Sequence, residues 1–143
     1  MDYKLDHIGI AVRNLEESIN FYENILGAKL IDRYRSESKG VESEIATMEI
    51  NGNRTELLSP TNNTTSPIAR FLKQKGKGVH HIAYYVNDLD EALEDLKHKG
   101  IRTLEETLRI NQHGRRLIYL NPADTEGTII EYCDYPNQEN KIE

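Results

Sequence analysis

Cysteine is almost absent from this 143-residue sequence, and the single Cys133 excludes an internal disulfide. No apolar run approaches membrane-spanning length, so no membrane association is expected. The first four residues lack the apolar segment of a signal peptide, and the cytoplasm is the expected compartment. Because its neighbours are strand-like, Cys133 is interpreted as a packed strand residue.

Basic clusters and Gly-rich phosphate loops are also missing. The formal net charge is −6, and no run of Lys or Arg forms a stripe, so we expect no nucleic-acid partner. Apolar residues make up 37% of the chain and charged residues 29%, which is typical of a folded globular protein. Half of such a chain would bury little core alone, so two halves sharing one core are expected.

An internal repeat is present instead. The segment Leu5-Asp6-His7-Ile8-Gly9-Ile10-Ala11-Val12 recurs as Gly78-Val79-His80-His81-Ile82-Ala83-Tyr84-Tyr85-Val86, and the alignment places His7 on His81. A second match joins Glu56-Leu57-Leu58-Ser59-Pro60 to Glu131-Tyr132-Cys133-Asp134-Tyr135-Pro136. Each half therefore offers one histidine on its first strand and one glutamate on its last.

The local patterns predict the same order of elements, βαβββ, in both halves. Asn14, Ser66 and Asp88 are predicted helix N-caps, and Gly27 and Gly100 follow helix ends. The predicted strands are residues 5–12, 28–35, 42–50, 54–59, 79–86, 101–105, 115–120 and 128–133, and the predicted helices are 15–26, 67–75 and 89–99. These elements define module one at about 5–60, a linking helix at about 66–76 and module two at about 78–136.

Two histidines and two glutamates at repeated positions indicate a metal site formed by His7, Glu56, His81 and Glu131. Imidazole and carboxylate together suit a divalent ion such as Zn, Co, Ni, Mn or Fe. His80 and His81 are adjacent and face opposite sides of a strand, and the repeat selects His81. Taken singly, each residue is also compatible with a packed or surface role.

These segments resemble the vicinal oxygen chelate superfamily, which includes glyoxalases, extradiol dioxygenases and bleomycin-resistance proteins. From Leu5 to Pro136 the likeness is greatest to the methylmalonyl-CoA epimerases, and the more discriminating segments are Ser66-Pro67-Ile68-Ala69-Arg70-Phe71-Leu72 and His113-Gly114-Arg115. The resemblance implies an α+β fold, in which two tandem βαβββ modules form a cupped mixed sheet around a metal site within a single domain, residues 1–143.

The resemblance also implies a site and a reaction. The ligands of a divalent Co, Zn, Ni or Mn ion would be His7, Glu56, His81 and Glu131. The reaction would interconvert (R)- and (S)-methylmalonyl-CoA through a metal-stabilised enolate, with Glu131 as one catalytic base. The second base would be Glu44 or, as an alternative, Glu42.

The resemblance further implies an acyl-CoA substrate and a homodimer, and the segment His113-Gly114-Arg115 would bind the substrate. Three alternatives stay open. A glyoxalase I-type lyase would use the same four ligands. An iron dioxygenase would use two His and one carboxylate, so that Glu56 argues against it. A non-catalytic resistance-type binding protein would not need the four-residue set.

Overall fold

The computed structural model describes residues 3–37, 40–62 and 64–136. In these residues the predicted order of elements is confirmed, as two βαβββ runs joined by a helix. The elements are β1 (Tyr3–Ala11), α1 (Leu15–Asn24), β2 (Lys29–Ser36), β3 (Ser43–Ile50), β4 (Asn53–Pro60), α2 (Pro67–Lys75), β5 (Gly78–Val86), α3 (Leu89–His98), β6 (Thr103–Ile110), β7 (Arg116–Leu120) and β8 (Ile130–Asp134), with a 3₁₀ turn at Pro122–Asp124. None of the helices in this described part is long and apolar enough to cross a membrane.

The chain forms two compact units, residues 7–80 and residues 3–6 together with 81–136. The divisions fall inside β1 and β5, and not in the segment between β4 and β5. The module bounds of 5–60, 66–76 and 78–136, and the single domain of 1–143, stay predictions.

In the unit of residues 7–80 the strand order is β2-β3-β4-β1. β1 runs parallel to β4, and the other pairs are antiparallel, so the pairing is mixed. Helix α1 covers one face with a core that includes Leu15, Ala46 and Leu57. Helix α2 covers the other face, where Ile68 and Leu72 join a core whose strand residues are Ala11, Ile45 and Leu58.

Predicted caps and turns begin and end these elements. The side chains of Asn14 and Ser66 accept hydrogen bonds from the N–H groups of Glu17 and Ala69, so both predicted N-caps are confirmed. Asn51 and Gly52 have φ of 48° and 86°, the left-handed pair that a tight hairpin requires.

In the other unit the strand order is β5-β8-β7-β6, with β5 parallel to β8. Helix α3 begins at the predicted N-cap Asp88, whose side chain accepts from the Glu91 N–H. Its apolar side packs on Val86 and Ile118. The opposite face of these strands carries His81 and Glu131.

Strand β6 differs from its prediction. A strand at 101–105 followed by a loop was expected, but β6 extends to Ile110. Leu104 lies opposite Tyr119 and Arg109 lies opposite Leu117, so four residues of β6 face only Ile118 of β7. This bulge hides the alternation that would have identified one continuous strand.

Candidate metal and catalytic site

The first predicted pair, His7 and Glu56, comes together in the unit of residues 7–80. Gly9 of β1 lies opposite Glu56 of β4, and alternation along β1 places His7 on the same face. His7 Nε2 lies 3.4 Å from Glu56 Oε1. Only 1% of His7 and 5% of Glu56 is exposed.

The second pair repeats this arrangement in the other unit. Ala83 of β5 lies opposite Glu131 of β8, so His81 shares a face with Glu131. His81 Nε2 lies 3.5 Å from Glu131 Oε1, and the two residues are 2% and 1% exposed. The repeated sequence therefore produces the same buried imidazole–carboxylate pair twice.

The chemistry of both pairs suits a divalent ion. Ligand atoms that each lie about 2.1 Å from a shared ion are about 3.0–3.4 Å apart, close to the separations in both pairs. Burying a carboxylate is costly unless it is compensated, and a cation compensates it directly. Each pair could therefore hold a metal ion, with neutral imidazole and ionised carboxylate as donors.

The predicted substrate-binding segment forms a tight turn that ends at a buried guanidinium. The Asn111 side-chain oxygen accepts from the N–H groups of His113 and Arg115, and Gly114 has φ of 80°, which glycine adopts without strain. His113 is exposed, whereas Arg115 is only 8% exposed.

Arg115 lies between two buried carboxylates. Its Nη1 is 3.7 Å from Asp6 Oδ2, and its Nε is 3.9 Å from Glu131 Oε2. The Tyr135 hydroxyl donates to Asp6 at 2.9 Å. Burial, and next the Asp6 charge, raise the pKa of Tyr135, so this phenol stays protonated as a donor. A fixed positive charge therefore lies beside Glu131.

Glu44 lies away from the first pair. Thr47 is opposite Glu56, and the unbroken register of β3 puts Glu44 on the other face. There it pairs with Arg33, which also contacts Glu16 of α1. The role of Glu44 as second base stays a prediction, and this placement does not support it.

Glu42, the alternative second base, lies outside the strand that was predicted at 42–50. Glu42 precedes β3 and has φ of 43°, outside the extended conformation. Its carboxylate accepts a hydrogen bond from the Asn62 side chain at 3.2 Å. The alternating pattern of residues 42–50 concealed this break, because the strand begins one residue later.

His80, the histidine that the repeat did not select, packs against a helix. Its ring meets Phe71 of α2 edge to face at 4.9 Å. Burial, with a smaller contribution from the Lys75 charge, lowers the pKa of His80 to about 4. The side chain is therefore neutral at neutral pH.

Sequence reasoning missed Asp6, Tyr135 and Tyr119. The Tyr119 ring lies 5.7 Å from the His81 ring, and Tyr119 is opposite Glu131 in the register of β7 and β8. A signal for Tyr119 was available, since it lies two residues from the buried Leu117 on the same strand face. Asp6 and Tyr135 are far apart in sequence, so their contact was not predictable from local pattern.

A match to a protein-family model decides the classification. Residues 6–119 match the glyoxalase/bleomycin resistance protein/dioxygenase superfamily. The chain belongs to this superfamily. The α+β fold of paired βαβββ runs is the one that the resemblance in sequence implied.

Two named relatives of the chain narrow the class of enzyme further. The mitochondrial methylmalonyl-CoA epimerase of Homo sapiens is 40% identical over 129 residues, which are 90% of this chain and 72% of the human protein. The ethylmalonyl-CoA/methylmalonyl-CoA epimerase of Cereibacter sphaeroides is 36% identical over 130 residues, covering 90% of this chain and 95% of that protein.

A solved structure agrees with these relatives. The methylmalonyl-CoA epimerase in complex with methylmalonyl-CoA and NH4+ has a TM-score of 0.85 at 31% identity, over 94% of this chain and 95% of that one. The superfamily member described here is an enzyme of the epimerase type.

Proposed function

We propose that this enzyme interconverts the two epimers of methylmalonyl-CoA. The observation that carries the proposal is the buried Glu131, a carboxylate held between His81 and Arg115 on one strand face. The names of the relatives from Homo sapiens and Cereibacter sphaeroides support the substrate.

We propose His7, Glu56, His81 and Glu131 as ligands for a divalent metal. Their chemistry suits Co, Zn, Ni or Mn and does not choose among these metals. When bound, the ion would supply Lewis-acid stabilisation of the negative charge that develops on the substrate oxygens.

Glu131 is the proposed base for proton transfer at C2 of the substrate. That carbon lies between a thioester and a carboxylate, so its proton is acidic enough for a carboxylate base to remove in a stabilising site. Return of a proton to the opposite face of C2 yields the other epimer.

Arg115 is the proposed partner of the substrate carboxylate. A guanidinium forms paired hydrogen bonds with a carboxylate, and burial strengthens them. The fixed turn from Asn111 to Arg115, with His113 and Gly114, would hold this group in place and border the acyl-CoA. The cytoplasmic location and the homodimer remain predictions, and light scattering of the purified protein tests the second.

A stereospecific assay tests the proposed function. Metal-loaded protein would receive single-epimer methylmalonyl-CoA, single-epimer ethylmalonyl-CoA or the glutathione hemithioacetal of methylglyoxal, and chiral chromatography or absorbance would follow turnover. Epimerisation of methylmalonyl-CoA is the expected result. Turnover of the hemithioacetal alone would replace the proposal with a glyoxalase I-type activity.

A further inference from the structure

Arg109 belongs to the strand face that carries His81 and Glu131. Leu117 and Tyr119 alternate onto the same face of β7, and Tyr119 lies opposite Glu131. Arg109 lies opposite Leu117, so its side chain shares that face. The sequence pattern did not single out this residue, because the bulge in β6 separates it from the predicted strand.

Two contacts hold the Arg109 guanidinium in place. Its Cζ lies 5.7 Å from the centre of the Tyr119 ring, within the range of a cation–π interaction. Its Nη1 donates to the Thr107 carbonyl oxygen at 3.1 Å. The Tyr119 ring in turn lies against the ring of His81, a proposed metal ligand. Tyr119 therefore lies between the Arg109 guanidinium and His81.

The bulge in β6 supports this arrangement. The Thr107 hydroxyl donates to the Leu104 carbonyl oxygen and accepts from the Tyr119 N–H at 2.9 Å. One side chain thus replaces the strand pairing that the bulge interrupts. Directly after this bulge, Arg109 lies over the ring of Tyr119.

Arg109 differs from the other arginines of its unit in charge compensation. Arg102, Arg115 and Arg116 each have an aspartate partner, respectively Asp124, Asp6 and Asp134. Within residues 3–37, 40–62 and 64–136, Arg109 has no ion pair, and its guanidinium donates to the neutral carbonyl of Thr107. Its charge is available to an anionic ligand.

We propose that Arg109 binds an anionic group of the acyl-CoA substrate. A guanidinium forms bidentate hydrogen bonds with carboxylate and with phosphate, and this substrate contains both groups. The inference rests on the proposed function for the identity of the substrate. It adds a binding residue on β6 to the segment from His113 to Arg115.

The test compares Arg109→Gln and Arg109→Lys with a matched control, Arg54→Gln. Arg54 is an exposed arginine on β4, so its replacement removes the same charge elsewhere. Arg109→Gln is expected to raise KM for methylmalonyl-CoA at least about tenfold and to change kcat less than about twofold. Arg109→Lys keeps the positive charge but loses the paired N–H donors of the guanidinium. Its KM is expected to lie between those of the wild type and Arg109→Gln.

Two further substrates identify the anion. Methylmalonyl-pantetheine retains the carboxylate and lacks the phosphates, whereas propionyl-CoA retains the phosphates and lacks the carboxylate. If Arg109 binds the carboxylate, Arg109→Gln raises KM for the pantetheine ester and leaves the propionyl-CoA dissociation constant unchanged. If Arg109 binds a phosphate, Arg109→Gln leaves KM for the pantetheine ester unchanged and raises the propionyl-CoA dissociation constant.

Calorimetric dissociation constants separate this inference from the proposed function. If the wild-type protein binds methylmalonyl-CoA without epimerising it, the function fails while the affinity change of Arg109→Gln still tests the residue. Unchanged affinities, or no binding of either CoA ester by the wild type, would overturn the role of Arg109. A fall in kcat of Arg109→Gln with an unaltered KM would also overturn the proposed binding role. That result would indicate that Arg109 only positions Tyr119.

Discussion

His81 Nε2 lies 3.5 Å from Glu131 Oε1, whereas the adjacent His80 packs its ring against Phe71. Two neighbouring histidines thus have separate tasks, because consecutive side chains of β5 point to opposite faces. The internal repeat had already distinguished them, since His81 and not His80 aligns with His7.

This difference predicts the effect of replacing each histidine. His81→Ala removes a proposed ligand and should weaken Co²⁺ binding at least about 100-fold, because a lost imidazole leaves a poorer donor set. His80→Ala, the matched control, should retain Co²⁺ binding and lose some stability. Calorimetry and the visible spectrum of the cobalt protein measure the first effect, and equal affinities in the two variants would contradict the ligand assignment.

Glu44→Gln should leave most of the activity intact. Glu44 is on the α1 face of β3, in partly exposed contacts with Arg33 and Arg35. We expect kcat/KM within about threefold of wild type and a loss of stability below about 1 kcal/mol, as for other exposed ion pairs. Steady-state kinetics and urea unfolding provide the test. A fall of several hundredfold in kcat with normal stability would instead support Glu44 as the second base.

The buried Asp134 should be important for folding. It accepts the Leu89 N–H at the start of α3 and two hydrogen bonds from Arg116. Asp134→Ala leaves a half-buried guanidinium and a buried helix N–H without this acceptor, so we expect a loss of about 2 kcal/mol in the free energy of unfolding. Asp90→Ala is the control, because Asp90 is an exposed partner of the same Arg116 and should cost less than about 1 kcal/mol. Equal urea midpoints for the two variants would be inconsistent with this account.

The ion pair of Asp124 with Arg102 predicts a pH dependence of stability. Hydrogen bonds from the Arg102 side chain, and then from its backbone N–H, lower the pKa of Asp124 from 3.8 to about 2. A carboxyl group whose pKa is lower in the folded state contributes stability above pH 3.8, and this contribution is lost as the pH falls towards 2.

The comparison of wild type with Asp124→Asn isolates that contribution. The difference in their free energies of unfolding should be constant from pH 7 to about pH 5 and should shrink between about pH 4 and pH 2. Urea unfolding at several pH values measures it. A difference that grew on acidification would reverse the predicted sign.

The sequence predicted those parts of the site that depend on repeated local pattern. His7 and His81 lie on equivalent first strands, Glu56 and Glu131 lie on equivalent final strands, and parallel pairing brings each His to its Glu. Helix caps such as Asn14 and Ser66 were also predictable, because capping is a short-range interaction.

Features that depend on strand phase or long-range contact were not predictable. The face of Glu44 depends on where β3 begins, and a difference of one residue reverses it. Arg109 became visible only when the bulge in β6 was known. Asp6 approaches Arg115 through pairing between distant parts of the chain, for which the sequence has no local signal.

Proton exchange at C2 of methylmalonyl-CoA in deuterated water tests the central claim most directly. The experiment compares three metal-loaded proteins: wild type, Glu131→Gln and the control Glu126→Gln, which changes an exposed turn residue. NMR follows label uptake, and polarimetry follows the loss of optical purity. The account predicts rapid exchange in wild type and control, with a rate at least about 1,000-fold lower in Glu131→Gln. Exchange at the wild-type rate in Glu131→Gln, or none in the wild type with Co, Zn, Ni or Mn, would contradict it.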